Sequence, residues 1–430
     1  MDNDLNTLAP SSRTIPFLLA LFFVAFLIRL GAVVALRDLN AAPSQHVTGA
    51  DGVEYNLLGL RTAQGLGYTW ESGQPTSFRA PGLPLLLAGI YFVAGKSYPL
   101  VYVVFCLLGA ISCLGAYGIA RELLQERVAR WAGWLACFYV PHIYFATRFD
   151  SENLFAACLA GGLYLALYHL RTRSRWSAIL AGVLLGCGGL TRAFAILLLP
   201  PIAGIMAVAE RGVFSLAKRL MGAILFSCAF VLVIAPWTMR NYQVHGRMVL
   251  VATNGGSTFY GGNNSIVVEE PRHWGAWVAT NHLPGRDIIE AAPDEVSHDK
   301  VEWRLGAEWV RNNVARLPLL GLYKFVRFWL PDIDSANKSY VILQVVGSTP
   351  FLVLIVVGLL ASLRQGTWRQ GRWLLVHLVL LSSILTALLF WGSPRFRDAN
   401  APLLMVYAAV GLEWFRKVIY RSPAITTGMA

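Results

Sequence analysis

Hydrophobic residues in this chain come in blocks, and most blocks are long enough to cross a bilayer, which takes about 20 residues of helix. Ten such blocks stand at 16–36, 99–120, 131–147, 153–170, 177–191, 193–209, 220–236, 341–363, 373–391 and 399–415. The pattern predicts an all-α polytopic membrane protein of about ten transmembrane helices. No signal-peptide cleavage pattern follows the first block, which is too long for such a segment and is expected to remain as the first span.

The polar segments between blocks fall into two kinds. Those at 121–130, 171–177, 210–219 and 364–372 each hold three Lys/Arg, as does the tail from Arg416. They alternate with segments that are longer or more acidic. Placing the basic ones in the cytoplasm puts both termini inside. Two large segments, 37–98 and 237–340, then lie outside and hold most of the acidic residues. The apolar stretch 81–94 tests this arrangement. Were it to span, every later loop would change sides, and with only 14 residues it is short for a span. It is expected to lie at the outer interface. So is 318–330, where Lys324 and Arg327 sit among aromatics as in interfacial helices.

Composition changes this picture little. The chain has 430 residues, 56% hydrophobic and only 14% charged, where a soluble domain carries about a quarter charged. The net charge of +12 sits in short loops, so it reports topology and not nucleic-acid binding. The six cysteines all fall in apolar blocks without a CxxC pair, and neither a disulfide framework nor a zinc site is expected. His245, His273, His282 and His298 lack metal-ligand spacing and are expected at the surface. An enzyme with cytoplasmic chemistry would need a cytoplasmic domain, for which there is no room.

Candidate chemistry therefore belongs to the outer segments. Asp51 and Glu54 have the spacing of a capping box, so Asp51 either caps a helix or acts as general base on an acceptor hydroxyl. Arg79 precedes Pro81-Gly82 at the mouth of the interfacial helix, where it either touches lipid headgroups or binds an anion. In Arg148-Phe149-Asp150-Ser151-Glu152, Asp150 or Ser151 can cap the following span. Glu152 lies just inside the apolar boundary, where ionisable groups are functional candidates. Arg192 breaks the apolar run 178–209, and Arg395 and Arg397 share a short outer turn against the positive-inside trend. Arginine forks suit phosphate. The Gly- and Asn-rich 254–264 predicts turns.

Taken in order, these residues carry a resemblance. The set is Asp51 with Glu54-Tyr55, Gly65-Leu66-Gly67-Tyr68, Arg79-Ala80-Pro81-Gly82-Leu83-Pro84 and Ser151-Glu152-Asn153-Leu154-Phe155. It continues with Leu190-Thr191-Arg192, Arg240-Asn241-Tyr242 and Pro394-Arg395-Phe396-Arg397. The chain resembles bacterial members of the dolichyl-phosphate-mannose–protein mannosyltransferase superfamily, the GT-C fold that also includes the lipid A aminoarabinose transferase. The resemblance covers nearly the whole chain and is densest over 45–200. It implies a single GT-C-like membrane domain over 1–430. In it, 37–98 is the catalytic outer loop with interfacial helices, and 237–340 is a second outer loop. It further implies Asp51 as catalytic base, Arg79 as carrier-phosphate ligand and Glu152 lining the site. Glu54 and Glu152 are carried over as further catalytic candidates, although some members have adjacent Asp-Glu where Gly52 follows Asp51 here. Tyr55, Arg148, Arg192, Arg395 and Arg397 complete the expected substrate-binding set.

The expected activity is an inverting transfer of sugar from a polyprenyl-phosphate donor to a lipid, glycan or protein acceptor, on the periplasmic side of a bacterial inner membrane. Phosphate is already a good leaving group, so the chemistry requires no metal or other cofactor. Two other readings predict different features. A transporter would place ionisable groups at mid-bilayer, where only Arg29 is well inside a span. A flippase of envelope lipids would tolerate Asp51→Asn.

Overall fold

The computed structural model describes residues 14–210, 213–331 and 338–421. Arg211 of the basic loop 210–219 and the tail beyond Arg421 lie outside the described residues. Among the described residues there is no strand, only an isolated bridge between Thr69 and Pro75.

The chain begins with α1 (Thr14–Leu36), followed in the first long connection by α2 (Gln45–Ala63) and α3 (Gly82–Ala94). Next come α4 (Tyr98–Leu123), α5 (Glu126–Phe138), α6 (Val140–Phe145), α7 (Glu152–Thr172) and α8 (Arg175–Thr191). A 3-10 turn at Ala193–Leu198 leads to α9 (Leu199–Val208), then α10 (Leu216–His245). The second long connection holds α11 (Gly255–Gly262), α12 (Ile266–Glu269), α13 (Arg286–Glu290), α14 (Glu295–Asn312) and α15 (Leu317–Trp329). The last helices are α16 (Lys338–Arg364), α17 (Gly371–Leu389), α18 (Pro394–Asp398) and α19 (Ala401–Arg421).

Among the described residues, six helices are long and apolar enough to cross a membrane: α1, α4, α7, α10, α16 (over Val341–Arg364) and α17. The other four expected spans fall on shorter, broken or more polar helices. The block 131–147 is two helices, because Tyr139 leaves helical geometry (φ −71°, ψ 104°) and Pro141, which has no N–H, opens α6. The block 193–209 starts as a 3-10 turn and becomes α-helical only at Leu199-Pro200-Pro201, for the same reason. Conversely, α10 runs through Pro236 to His245, so the second long connection starts at Gly246 and not at 237. Trp237 Nε1 donates to Val251 O (2.8 Å) and Asn241 Nδ2 to Val249 O (3.1 Å), which docks the extra turns onto the chain that follows.

Burial separates the lipid-facing helices from the central one. The apolar windows of α1 and α16 are only 22% buried within the protein, so most of their surface is left for lipid. That of α7 is 72% buried although α7 is the least hydropathic span. It packs between α4 and α8, and its N-terminal residue is Glu152. Small residues let these helices close together, as expected where no hydrophobic force acts between them in lipid. A Cβ on Gly358 would meet Tyr407 O of α19 at 1.8 Å, and one on Gly411 would meet Leu354 O of α16 at 2.1 Å. Helices α3 and α15 match the two stretches expected to be interfacial, at 13 residues each.

Candidate active site

A cavity of about 210 Å³ lies where the two long connections meet the ends of α7, α8 and α17. Helix α2 contributes Asp51 and Tyr55, and the turn before α3 contributes Arg79 and Ala80. The N-terminal edge of α7 supplies Ser151. The break after α8 supplies Thr191, Arg192, Ala193 and Phe194. The far wall is Asn254, Gly255 and Thr258 at the start of α11, with Thr386 of α17, Phe390 and Trp391 of the link after it, and Arg395 and Phe396 of α18.

Local sequence explains two of these placements. Gly49 has φ 68° and ψ −179°, which kinks α2 so that its helix restarts just before Asp51. The cap of α2 is Ser44, and both Asp51 and Glu54 direct their carboxylates to Arg79. Asp51, where the helix restarts after Gly49, is thus held in an ion pair with Arg79. Gly82 opens α3 directly on the end of α8. A Cβ there would meet Thr191 Oγ1 at 2.4 Å and Thr191 Cα at 2.8 Å. This close approach brings the turn carrying Arg79 to the same cavity as Arg192.

The charged groups form one cluster. Asp51 Oδ1 lies 2.8 Å from Arg79 Nη2, and Arg79 Nε donates to Glu54 Oε2 at 2.5 Å. Asp51 Oδ2 accepts from Nη1 and Nη2 of Arg395, each at 3.3 Å. Arg395 Nε donates to Glu152 Oε1 at 2.7 Å. Arg192 Nη1 is 2.8 Å from the same Glu152 oxygen, but its N–H is not aligned on it and has no hydrogen-bond acceptor. The Glu152 side chain is fully buried, whereas Asp51 is 30% and Arg395 35% exposed to the cavity. Glu152 thus anchors two arginines from beneath, and Asp51 meets solvent.

Burial works against charge on Asp51, but Arg395 and then Arg79 outweigh it, and its carboxyl stays below the usual carboxylate range. Burial works against charge on Arg79 and Arg395 too, and the carboxylates overcome it, keeping both guanidiniums charged. Burial and then the Asp51 charge push the Tyr55 phenol up to about 12, so it remains a hydrogen-bond donor. Its ring faces the Arg79 guanidinium at 5.8 Å.

Two expected phosphate ligands stand elsewhere. Arg148 lies outside the cavity lining and pairs with the buried Asp150 at 2.5 Å. Arg397 is fully buried. Its Nε and Nη2 grip Asp398 at 2.8 and 3.1 Å, and its Nη1 donates to the carbonyls of Phe328, Trp329 and Leu330 at the end of α15. Tyr139 Oη donates to Asp398 at 2.5 Å. The correction has a simple cause: on a five-residue helix, side chains two apart face different ways, so Arg395 opens on the cavity and Arg397 on the interior.

Of the other contributors, Arg240 was named from sequence only as part of a motif, and Glu295 was missed. Glu295 of α14 accepts from Thr76 Oγ1 (2.6 Å), Ser77 N (2.8 Å) and Thr253 Oγ1 (2.5 Å). Arg240 donates to Thr76 O (2.7 Å), Ser77 Oγ (2.9 Å) and Tyr68 O (3.0 Å). Together they fix the segment that ends in Arg79. His245, expected at the surface, hydrogen-bonds Ser77 Oγ at 2.8 Å in this network. The far wall, α11, is clasped by Asp299 of α14, which accepts the Gly256 N–H at 2.6 Å. The Gly- and Asn-rich 254–264, expected to form turns, holds the helix α11, because its glycines let it pack closely against α14.

Residues 78–239 match the family model described as dolichyl-phosphate-mannose-protein mannosyltransferase. That stretch contains Arg79, Arg148, Glu152 and Arg192, but neither Asp51 nor Arg395. The fold is similar to that of the oligosaccharyltransferase AglB from Archaeoglobus fulgidus in complex with an inhibitory peptide and a dolichol-phosphate. The TM-score is 0.55 at 17% identity, over 96% of this chain and 52% of that one. An Archaeoglobus fulgidus oligosaccharyltransferase in the apo form gives a TM-score of 0.55 at 15% identity, over 94% of this chain and 51% of that one. ArnT from Cupriavidus metallidurans bound to undecaprenyl phosphate aligns at TM-score 0.42 and 14% identity, over 95% and 79%. No curated protein matches the chain in sequence. The chain has the GT-C membrane fold expected from its sequence, and spans about half the length of the oligosaccharyltransferase it matches.

Proposed function

We propose that this protein is a membrane glycosyltransferase. It takes a sugar from a polyprenyl-monophosphate donor and transfers it, with inversion, to an acceptor on the outer face of a bacterial inner membrane. The observation that carries this reading is Asp51 set between Arg79 and Arg395 on the wall of a cavity that also holds Arg192. Arginines bind the donor phosphate and stabilise the charge that grows on it as the sugar leaves. Asp51 takes the acceptor proton while the acceptor oxygen attacks the anomeric carbon. The phosphate oxygen keeps the bonding electrons, so no second carboxylate has to protonate the leaving group. That suits Glu152, which is buried beneath two arginines and positions them. Glu54 does the same for Arg79.

An apolar groove of about 530 Å³ runs beside the cavity between α9 and α10, lined by Ile196, Leu199, Phe230, Ile234, Met239 and others. The same 3-10 turn supplies Phe194 to the cavity and Ile196 to the groove. A phosphate in the cavity can therefore trail its isoprenoid chain along lipid-facing apolar surface. The similar AglB structure is of a complex with dolichol-phosphate, which supports a lipid-phosphate carrier here.

The test is incubation of purified protein with polyprenyl-phosphate sugars and lipid, glycan and peptide acceptors, with mass spectrometry for released polyprenyl phosphate and glycosylated product. Absence of both across the donor panel overturns the reading. For sidedness, a cysteine at Ser97 should react with an impermeant thiol reagent in intact cells and one at Thr172 should not. The reverse labelling would place the cavity in the cytoplasm.

A further inference from the structure

The two arginines nearest Asp51 are held in the same way. Each fixes its Nε edge on a glutamate, Arg79 on Glu54 (2.5 Å) and Arg395 on Glu152 (2.7 Å). Each turns its Nη edge to Asp51, at 2.8 Å for Arg79 and 3.3 Å for Arg395. With Arg192 against Glu152, three guanidiniums face three carboxylates, and the cluster is neutral. The Nη groups of Arg79 and Arg395 that a donor phosphate would use are already engaged by the proposed base, whereas Arg192 Nη1 has no acceptor.

Resting on the function proposed above, we infer that Asp51 stands in for the lipid phosphate. It holds the Nη clamp of Arg79 and Arg395 until the donor enters, yields it to the phosphate, and reclaims it after transfer to displace the product. Carboxylate and phosphate oxygens compete for the same charge-assisted bonds. The Nε anchors keep both arginines in place during the exchange, so only the occupant of the clamp changes. A carboxylate held between two guanidiniums is a poor proton acceptor. Arrival of the phosphate therefore frees the base in the same step, and donor binds before acceptor is activated.

The cycle balances. The acceptor O–H proton passes to Asp51, and the acceptor oxygen bonds to the anomeric carbon. The bond from that carbon to phosphate breaks with its electron pair on the phosphate oxygen. A phosphodiester with one charge becomes a monoester that can carry two, which the clamp holds more tightly than the donor. Asp51 then releases its proton to water, recovers its charge and competes the product away.

The inference predicts an effect on phosphate binding that a merely structural residue would not show. Binding of farnesyl monophosphate to the full-length detergent-solubilised protein is measured by titration calorimetry. Asp51→Asn should bind it about tenfold or more tightly than wild type, the scale of a charge-assisted bond no longer lost to competition. Asp51→Ala, which also removes the charge, should tighten binding in the same direction and serves if the amide variant does not fold. Glu71→Gln, an equal charge change at an exposed site in the same connection, should leave affinity unchanged, and uncharged farnesol should not distinguish the variants. Equal or weaker phosphate binding by both Asp51 variants overturns the inference while leaving Asp51 as base. Tightening in Glu71→Gln to the same extent overturns it too, by showing a bulk charge effect. Absence of phosphate binding in wild type and variants alike overturns the phosphate site itself, and this inference with it.

Discussion

Arg395 and Arg397 stand two residues apart on one short helix, and each pairs with an aspartate. Arg395 meets Asp51 across the cavity at 3.3 Å, with its side chain 35% exposed. Arg397 grips its neighbour Asp398 at 2.8 Å, with its side chain wholly buried. The carbonyls of Phe328, Trp329 and Leu330 also take up its Nη1, at the negative end of the α15 dipole. The first pair has an edge that a ligand can take over. The second is saturated, and its work is to tie α18 to α15 and, through Tyr139, to the break between α5 and α6. The difference teaches that an arginine beside a membrane cavity is a ligand only if its hydrogen bonds can be exchanged.

The sharpest contrast is between the two aspartates. Asp51→Asn is expected to lower the transfer rate by about 10²–10⁴-fold, the usual contribution of a general base, with the melting temperature unchanged. Retention of more than about a tenth of the wild-type rate would show that Asp51 is no base, since loss of one does not allow it. Glu54 and Glu152 would then be tested by the same amide substitution.

The next contrast is between the arginines. Arg397→Ala leaves Asp398 charged and buried, and should destabilise the fold by about 3–5 kcal/mol. Arg395→Ala leaves the buried Glu152 still paired with Arg192, so it should destabilise the fold less than Arg397→Ala, and it should weaken polyprenyl-phosphate binding by about 1.5–3 kcal/mol. Denaturant titration and lipid-phosphate binding on both variants separate the two roles. Equal destabilisation of both would erase the distinction, as would a well-folded Arg397→Ala that has lost phosphate affinity.

The smallest expected effect concerns the far wall, which is neither open like Arg395 nor sealed like Arg397. Burial pushes the Asp299 carboxyl up to about 6, with Glu302 and Glu295 adding to the effect against the Gly256 hydrogen bond. The folded value lies above the ordinary one of about 3.9. This group therefore stabilises the fold fully below about pH 4, and the contribution is lost as pH rises through about 6. Asp299→Asn keeps an acceptor for Gly256 and removes the charge. Its melting temperature should lose that part of the wild-type decline between pH 4 and pH 7. An identical pH profile in both proteins would remove Asp299 as the source.

Much of the architecture was legible in the chain itself. Block length and hydropathy marked α1, α4, α7, α10, α16 and α17, and the Pro- and aromatic-bearing short stretches marked α3 and α15. These are properties of a segment and its solvent, so they need no knowledge of neighbours. The candidate residues of the first connection were legible as well, but their roles came from a resemblance of ordered motifs and not from any single spacing. The sequence named Asp51, Tyr55, Arg79, Arg192 and Arg395, all of which line the cavity, and it also named Glu54, Arg148, Glu152 and Arg397, which do not.

Only the tertiary structure decided between these. Asp51 and Arg395 are 344 residues apart, and Glu152 and Arg395 are 243 apart. Whether a guanidinium meets a cavity, a carboxylate or a row of carbonyls depends on the direction of one side chain on a short helix, and on which distant element packs over it. The same holds for the far wall, where α11 reaches the cavity because Asp299 and Glu302 of α14 clasp its glycines from behind. Hydrophobic pattern is written locally because water and lipid act on each segment separately. Charge pairing is not, because a charge takes its partner from whatever the folded chain brings within a few ångströms.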